Sequence, residues 1–146
     1  MPCTPSGQSF SRRSQVDTNA GPARLTMVSN ASVAALAGHG GYPGDLDPAR
    51  FRMTFELEGC EPHVEDMWAG RRVRIGKALL RVHGQVPRCV VTTQDPHTGL
   101  KDFETLKTIV SYRPLMTDQK GIPFGMYAEV QRPGRVRVGD PVELQD

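Results

Sequence analysis

Twelve prolines and fifteen glycines are spread through 146 residues, and this punctuation breaks the chain into short elements joined by many turns. It argues against a long helical bundle. The length fits one domain with a sizeable core. Within it the clearest periodic stretch is "RFRMTFELEG", where Phe51, Met53, Phe55 and Leu57 alternate with Arg50, Arg52, Thr54 and Glu56. That is the period of a strand with one buried face. It would set Arg50 and Arg52 side by side, a repulsion that an anion or carboxylates must answer.

Other segments follow the same short-element pattern. "RLTMV" reads as a strand, and Ser29 caps a short helix carrying Val33, Leu36 and Ala37 that Gly38 ends. "RRVRIG", "KALLRVHG" and Val86–Thr93 read as three further strands, the last stopped by the turn residues of "QDPHTG". In "DFETLKTIVSYR" Asp102 can cap a helix whose Phe103, Leu106, Ile109 and Val110 recur at helical spacing. "FGMYAEV" and "RVRVGDPVEL" supply the final strands. Seven or so strands with two short helices give a mainly β chain of the α+β class, a curved sheet or barrel. Residues 1–22 are polar and expected to be a disordered tail, leaving 23–146 as the folded domain.

The net charge of +2 provides no bulk field toward nucleic acid or an anionic membrane. Fourteen of the 18 cations are arginine, whose planar fork suits local contacts with phosphate or carboxylate. No apolar run is long enough to span a bilayer, and the opening residues lack a secretory core. A cytoplasmic location is therefore expected, with an organelle transit peptide as the alternative suggested by the Ser/Arg-bearing, acid-poor start. Three cysteines without C-x-x-C spacing argue against a disulfide framework or structural zinc. His39, His63, His83 and His97 show no ligand spacing, and no P-loop, G-x-G-x-x-G or G-x-S-x-G occurs. The neighbouring acids Glu65 and Asp66 are expected to cap or to pair with Arg71 and Arg72.

Cys89 has more suggestive company. Arg88 places a cation beside it, Thr92 and Thr93 offer hydroxyls, and Pro87 stiffens the approach. A thiolate in such surroundings can bind a soft metal, carry sulfur or act as a nucleophile. A buried structural thiol fits the spacing as well.

Six stretches, "LTMVSNASVAAL", "RFRMTFELEG", "EDMWAGRRVRIG", "PRCVVTTQDPHTG", "PFGMYAEV" and "PGRVRVGDPVEL", together resemble the MOSC domain, the module of molybdenum-cofactor sulfurases and of the mitochondrial amidoxime-reducing component. The resemblance runs from Arg24 to Leu144. It implies a MOSC-type β-barrel, and, since complete members carry a further N-terminal β-rich portion, an incomplete one. It also implies molybdenum cofactor, or molybdopterin, as ligand. Cys89, from the R-C-hydrophobic-hydrophobic-T-T motif, would be the catalytic centre's metal ligand. Arg88 and Arg52 would face the anionic pterin end, Ser29, Asn30 and Ser32 would donate to it, Thr92 would assist, and Phe124 would line the pocket. Thr54 falls where the family's F-R-P-N motif has asparagine, because this chain reads Phe51-Arg52-Met53-Thr54.

Three functions follow from that resemblance. The first is a molybdenum-dependent oxidoreductase acting on N-hydroxylated compounds with a redox partner, or a cofactor carrier. The second is a sulfurase component in which Cys89 carries a persulfide from a cysteine desulfurase that uses pyridoxal phosphate. The third is a non-catalytic remnant that binds a partner through an open sheet edge.

Overall fold

The structure is a computed structural model that describes residues 4–5, 24–116 and 121–145. Its strands are β1 (Thr4–Pro5), β2 (Arg24–Ser29), β3 (Phe55–Glu58), β4 (Arg72–Ile75), β5 (Ala78–Arg88), β6 (Ile122–Arg132) and β7 (Val142–Gln145). Its helices are α1 (Asn30–His39) and α2 (Thr105–Tyr112). The strands form one sheet in the order β1-β3-β2-β6-β5-β4-β7. All ladders are antiparallel except β2 with β3. That parallel pair is joined by a crossover through α1, as parallel neighbours require. The sheet curls into a nearly closed mixed barrel, an α+β fold with two short helices.

Alternation of side chains assembles two cores. In β4, Val73 and Ile75 are buried while Arg72 and Arg74 face out. In β2, consecutive residues serve opposite sides. Met27 joins the barrel interior with Phe55, Leu57, Trp68, Leu80, Val82 and Met126. Val28 joins the layer beneath the helices with Leu36, Phe51, Phe103, Ile109 and Phe124. Burying Phe51 and Phe124, which are 1% and 0% exposed, stabilises by roughly 2–3 kcal/mol each.

Ser29 caps α1 as its sequence suggests, accepting from the Ser32 amide, but Gly38 does not end the helix, which runs to His39 with Gly40 as cap. Of "RVRVGDPVEL" only Val142–Gln145 forms a strand, residues 135–138 being irregular, and expectations change in three further places. First, the alternating stretch becomes a strand only at Phe55–Glu58. Asp47 and Pro48 start a 3-10 turn over Pro48–Phe51, with the Asp47 carboxylate accepting from the Ala49 amide, and Arg52 closes it in the left-handed region at φ 52°. Asx-Pro turn chemistry overrides the alternation there. Arg50 is consequently buried and Arg52 exposed, so the two do not share a face.

Second, "KALLRVHG" and the start of Val86–Thr93 belong to one bulged strand, β5. Val90–Thr93 is a 3-10 turn. The Thr92 and Thr93 hydroxyls donate to the carbonyls of Cys89 and Val90, and such back-bonding competes with a ladder. Third, α2 starts at Thr105 without a side-chain cap. Asp102 binds Arg50 instead, and Val110 lies on the exposed face. Of the expected tail, only Thr4 and Pro5 are described, paired with Glu58 and Leu57; the rest lies outside the described residues.

Candidate functional site

Cys89 follows directly on β5. Its backbone is extended, at φ −125° and ψ 178°, and its thiol is free and exposed. Exposure rules out the buried structural thiol. Cys60 behaves differently: it is disulfide-bonded, a single bridge rather than the disulfide framework that the cysteine spacing argues against.

Arg88 supports the strand end beneath Cys89. Its Nε donates to the Phe124 carbonyl at 2.9 Å, one terminal nitrogen donates to the Phe51 carbonyl at 2.9 Å, and the other reaches the Met53 sulfur at 3.1 Å. The guanidinium also lies over the Phe51 ring, 5.5 Å from its centroid. Burial pushes its pKa down to about 10, opposed by Tyr127 and Cys89, so the group stays charged at neutral pH. All its protein acceptors are neutral, and Arg88 forms no salt bridge among the described residues. A half-buried cation without a counter-ion is costly unless an anion joins it.

Gly125 makes this approach feasible. At φ +85°, a Cβ there would meet the Met53 side chain and the Met27 carbonyl at 3.0 Å, with the Arg88 guanidinium 3.5 Å away. Phe124 is fully buried and stacks on Phe51 with centroids 4.5 Å apart. It backs the site from inside the protein. Arg52 stands exposed one residue before Met53, close in sequence to two of Arg88's partners.

The remaining candidates divide differently. Thr92 is buried, and its hydroxyl donates to the Cys89 carbonyl at 2.9 Å rather than to the sulfur. Thr54 forms a reciprocal bridge with Thr26: each hydroxyl accepts from the other's amide, at 3.2 and 3.0 Å. Ser29 and Ser32 are 0% exposed and bound to Glu65. One Glu65 oxygen accepts from the Ser32 hydroxyl at 2.6 Å and the Ser29 amide at 3.1 Å, while the Ser32 hydroxyl also accepts from the His63 amide. Asn30 lines a separate cavity of about 570 Å³ between α1 and residues 42–48, whose lining includes neither Arg88 nor Cys89.

Glu65 and Asp66 therefore have unlike roles. Glu65 holds the β2–α1 junction, and Asp66 pairs with Arg113, rather than Arg71 and Arg72 receiving both acids. His63, in the left-handed region at φ 59°, bonds the Tyr112 hydroxyl at 3.0 Å. Burial, with Arg113 and His39 nearby, lowers its pKa to about 4. Met53, Phe51, Arg50 and Asp102 carry no local motif that marks them as site residues. Asp47-Pro48, a turn opener, is the one sequence signal for the turn that places Arg50 and Phe51.

A mixed barrel in which one of the longest strands ends in an arginine bonded only to neutral groups and followed by an exposed thiol sets the frame for the comparison with known proteins. The family model of the MOSC domain matches residues 18–143, and this chain belongs to that family. Mitochondrial amidoxime-reducing component 1 of Mus musculus is 38% identical over 100 residues, covering 64% of this chain and 29% of the relative. The Homo sapiens component 1 is 32% identical over 124 residues, covering 81% and 36% respectively. The chain thus spans about a third of the length of these relatives. Among solved structures, the YuaD protein from Bacillus subtilis matches with a TM-score of 0.56 at 23% identity, over 82% of this chain and 62% of the other. YiiM from Geobacillus stearothermophilus gives 0.57 at 19% identity, over 86% and 55%. Both share the fold. No helix among the described residues is long and apolar enough to cross a membrane.

Proposed function

We propose that this chain binds molybdopterin through Cys89 and serves an oxidoreductase that removes oxygen from N-hydroxylated compounds. The carrying observation is the half-buried Arg88 cation, unpaired by any described carboxylate, in the residue before an exposed free thiol whose charge it feels. Such a pair suits an anionic ligand that also needs a soft donor. The Cys89 thiolate supplies the soft ligand, and Arg88 contributes fixed positive charge. Arg52, on the exposed side, offers a second guanidinium to a phosphate. Phe51 and Phe124 keep Arg88's acceptors in place. Bound molybdenum would supply the two-electron chemistry, with electrons from a separate redox partner.

The amidoxime-reducing relatives support this reading of the reaction class. Their mitochondrial names favour the organelle alternative over a cytoplasmic one. The fit extends to only part of the residue set inferred from the motifs. Ser29, Ser32 and Thr54 have their bonds within the fold, so Arg52, Arg88 and Cys89 are the residues we assign to the cofactor.

The test is expression with the cofactor available, followed by measurement of bound pterin and of reduction of an aryl amidoxime with a reduced viologen dye. Wild type should carry pterin and turn over, and Cys89→Ser should lose turnover. A pterin-free wild type contradicts the proposal. A persulfide on Cys89 after incubation with a cysteine desulfurase, in protein that never takes up pterin, would transfer the assignment to sulfur carriage.

A further inference from the structure

The two residues that follow Cys89 have little apolar packing to hold them, before the chain is buried again at Thr92 and Thr93. Val90 and Val91 are 63% and 38% exposed, so hydrogen bonds carry much of the hold on this backbone. They form a chain leading away from the cysteine. The Cys89 carbonyl accepts from the Thr92 amide at 3.1 Å and the Thr92 hydroxyl at 2.9 Å. The Thr92 carbonyl in turn accepts from Arg50 at 3.2 Å and from the Thr105 hydroxyl at 2.7 Å. Asp102 grips the same guanidinium with both oxygens, each at 3.1 Å. Tyr42 donates to Asp102 at 3.1 Å and lies against Arg50 with Phe103.

Arg50 is an unusual choice if stability alone is at stake. Its side chain is 1% exposed, and its Nε is buried without a partner. A buried ion pair stabilises little more than a well-packed apolar side chain would. An apolar side chain could not hold the Thr92 carbonyl, however. The adjacent residue, Phe51, gives its carbonyl to Arg88. One short turn, Pro48–Phe51, therefore grips the chain on both sides of Cys89, at residue 88 through a carbonyl and at residue 92 through a guanidinium.

We propose that Arg50, oriented by Asp102, is a positioning residue that fixes the Cys89 backbone from its downstream side and so presents the sulfur in one direction. The inference deepens the function proposed above and rests on that reading only for its consequence in cofactor binding. Fixing a ligand's backbone beforehand removes an ordering cost from binding.

A nitroxide spin label attached to Cys89 of the cofactor-free full chain tests the positioning directly, with the attachment site checked by peptide mass spectrometry. Asp102→Asn and Arg50→Lys should increase the fast-tumbling fraction of the spectrum several-fold at temperatures well below unfolding, and Asp102→Glu should restore much of the wild-type line shape. In unlabelled protein the same two loosening variants should retain about tenfold less molybdenum. Should Arg50→Lys fail to fold, Asp102→Asn decides, since this residue is exposed. Wild-type line shapes in folded Asp102→Asn would overturn the inference. A wild type that binds no molybdenum would remove the proposed function but leave the spectroscopic outcome to judge the positioning by itself.

Discussion

Two polar clusters in this barrel use the same kinds of residue to opposite ends. Around Glu65, the Ser29 and Ser32 hydroxyls and the Ser29 and His63 amides are bonded within the fold, where both serines are fully buried. Around Cys89, the thiol is exposed and free, and Arg88 meets only neutral protein acceptors. The first cluster turns the serine and His63 donors inward onto one Glu65 oxygen and the Ser32 hydroxyl, leaves the other Glu65 oxygen buried without a partner, and holds the β2–α1 junction. The second leaves charge and sulfur available for something outside the chain. Whether a polar motif residue acts on a ligand depends on where its bonds already go, and residue type does not reveal this.

The largest effect is expected at Glu65. Replacing it by Ala strips acceptors from the buried Ser29 amide and the Ser32 hydroxyl, and should cost about 3 kcal/mol. A denaturant midpoint unchanged from wild type would show that the cluster is not structural.

A smaller effect should appear with pH at the edge of the same cluster. Burial, with Arg113 and His39 nearby, holds the His63 pKa down at about 4 in the folded protein, below its ordinary 6.5. Between those values the unfolded chain binds more protons. Stability should therefore rise as pH climbs from about 4 to about 6.5, and be lost as pH falls through that window. Asn tolerates the left-handed backbone at this position, so His63→Asn should flatten the slope. Unfolding curves collected across the window check it, and an unaltered slope would assign the dependence to other groups.

How far this contrast was legible beforehand follows from the distance between partners in the chain. The Ser29 cap was readable because its amide partner lies three residues on. Cys89 and Arg88 were readable as neighbours in an ordered set of stretches. The strand character of Phe55 and Leu57 was readable from period two, and it failed at Arg50 and Arg52 because Asp47-Pro48 imposes a 3-10 turn first. The Arg50–Asp102 pair was not readable at all. Its members lie 52 residues apart, and Asp102 had a plausible local use as a helix cap. Likewise Glu65 meets Ser29 across 36 residues, and its attachment there only becomes visible once β2 and the turn at Val64–Trp68 are packed together.

The most direct measurement is molybdenum per chain, by mass spectrometry of the metal, in wild type and Cys89→Ser purified side by side from cells that make the cofactor. The exposed position of Cys89 means the substitution should change stability by less than about 0.5 kcal/mol, so any difference in metal reflects the sulfur. Wild type near one molybdenum per chain with at least a tenfold drop in the variant is the predicted result. Equal metal in both, whether near zero or near one, would contradict the assignment of Cys89 as the ligand.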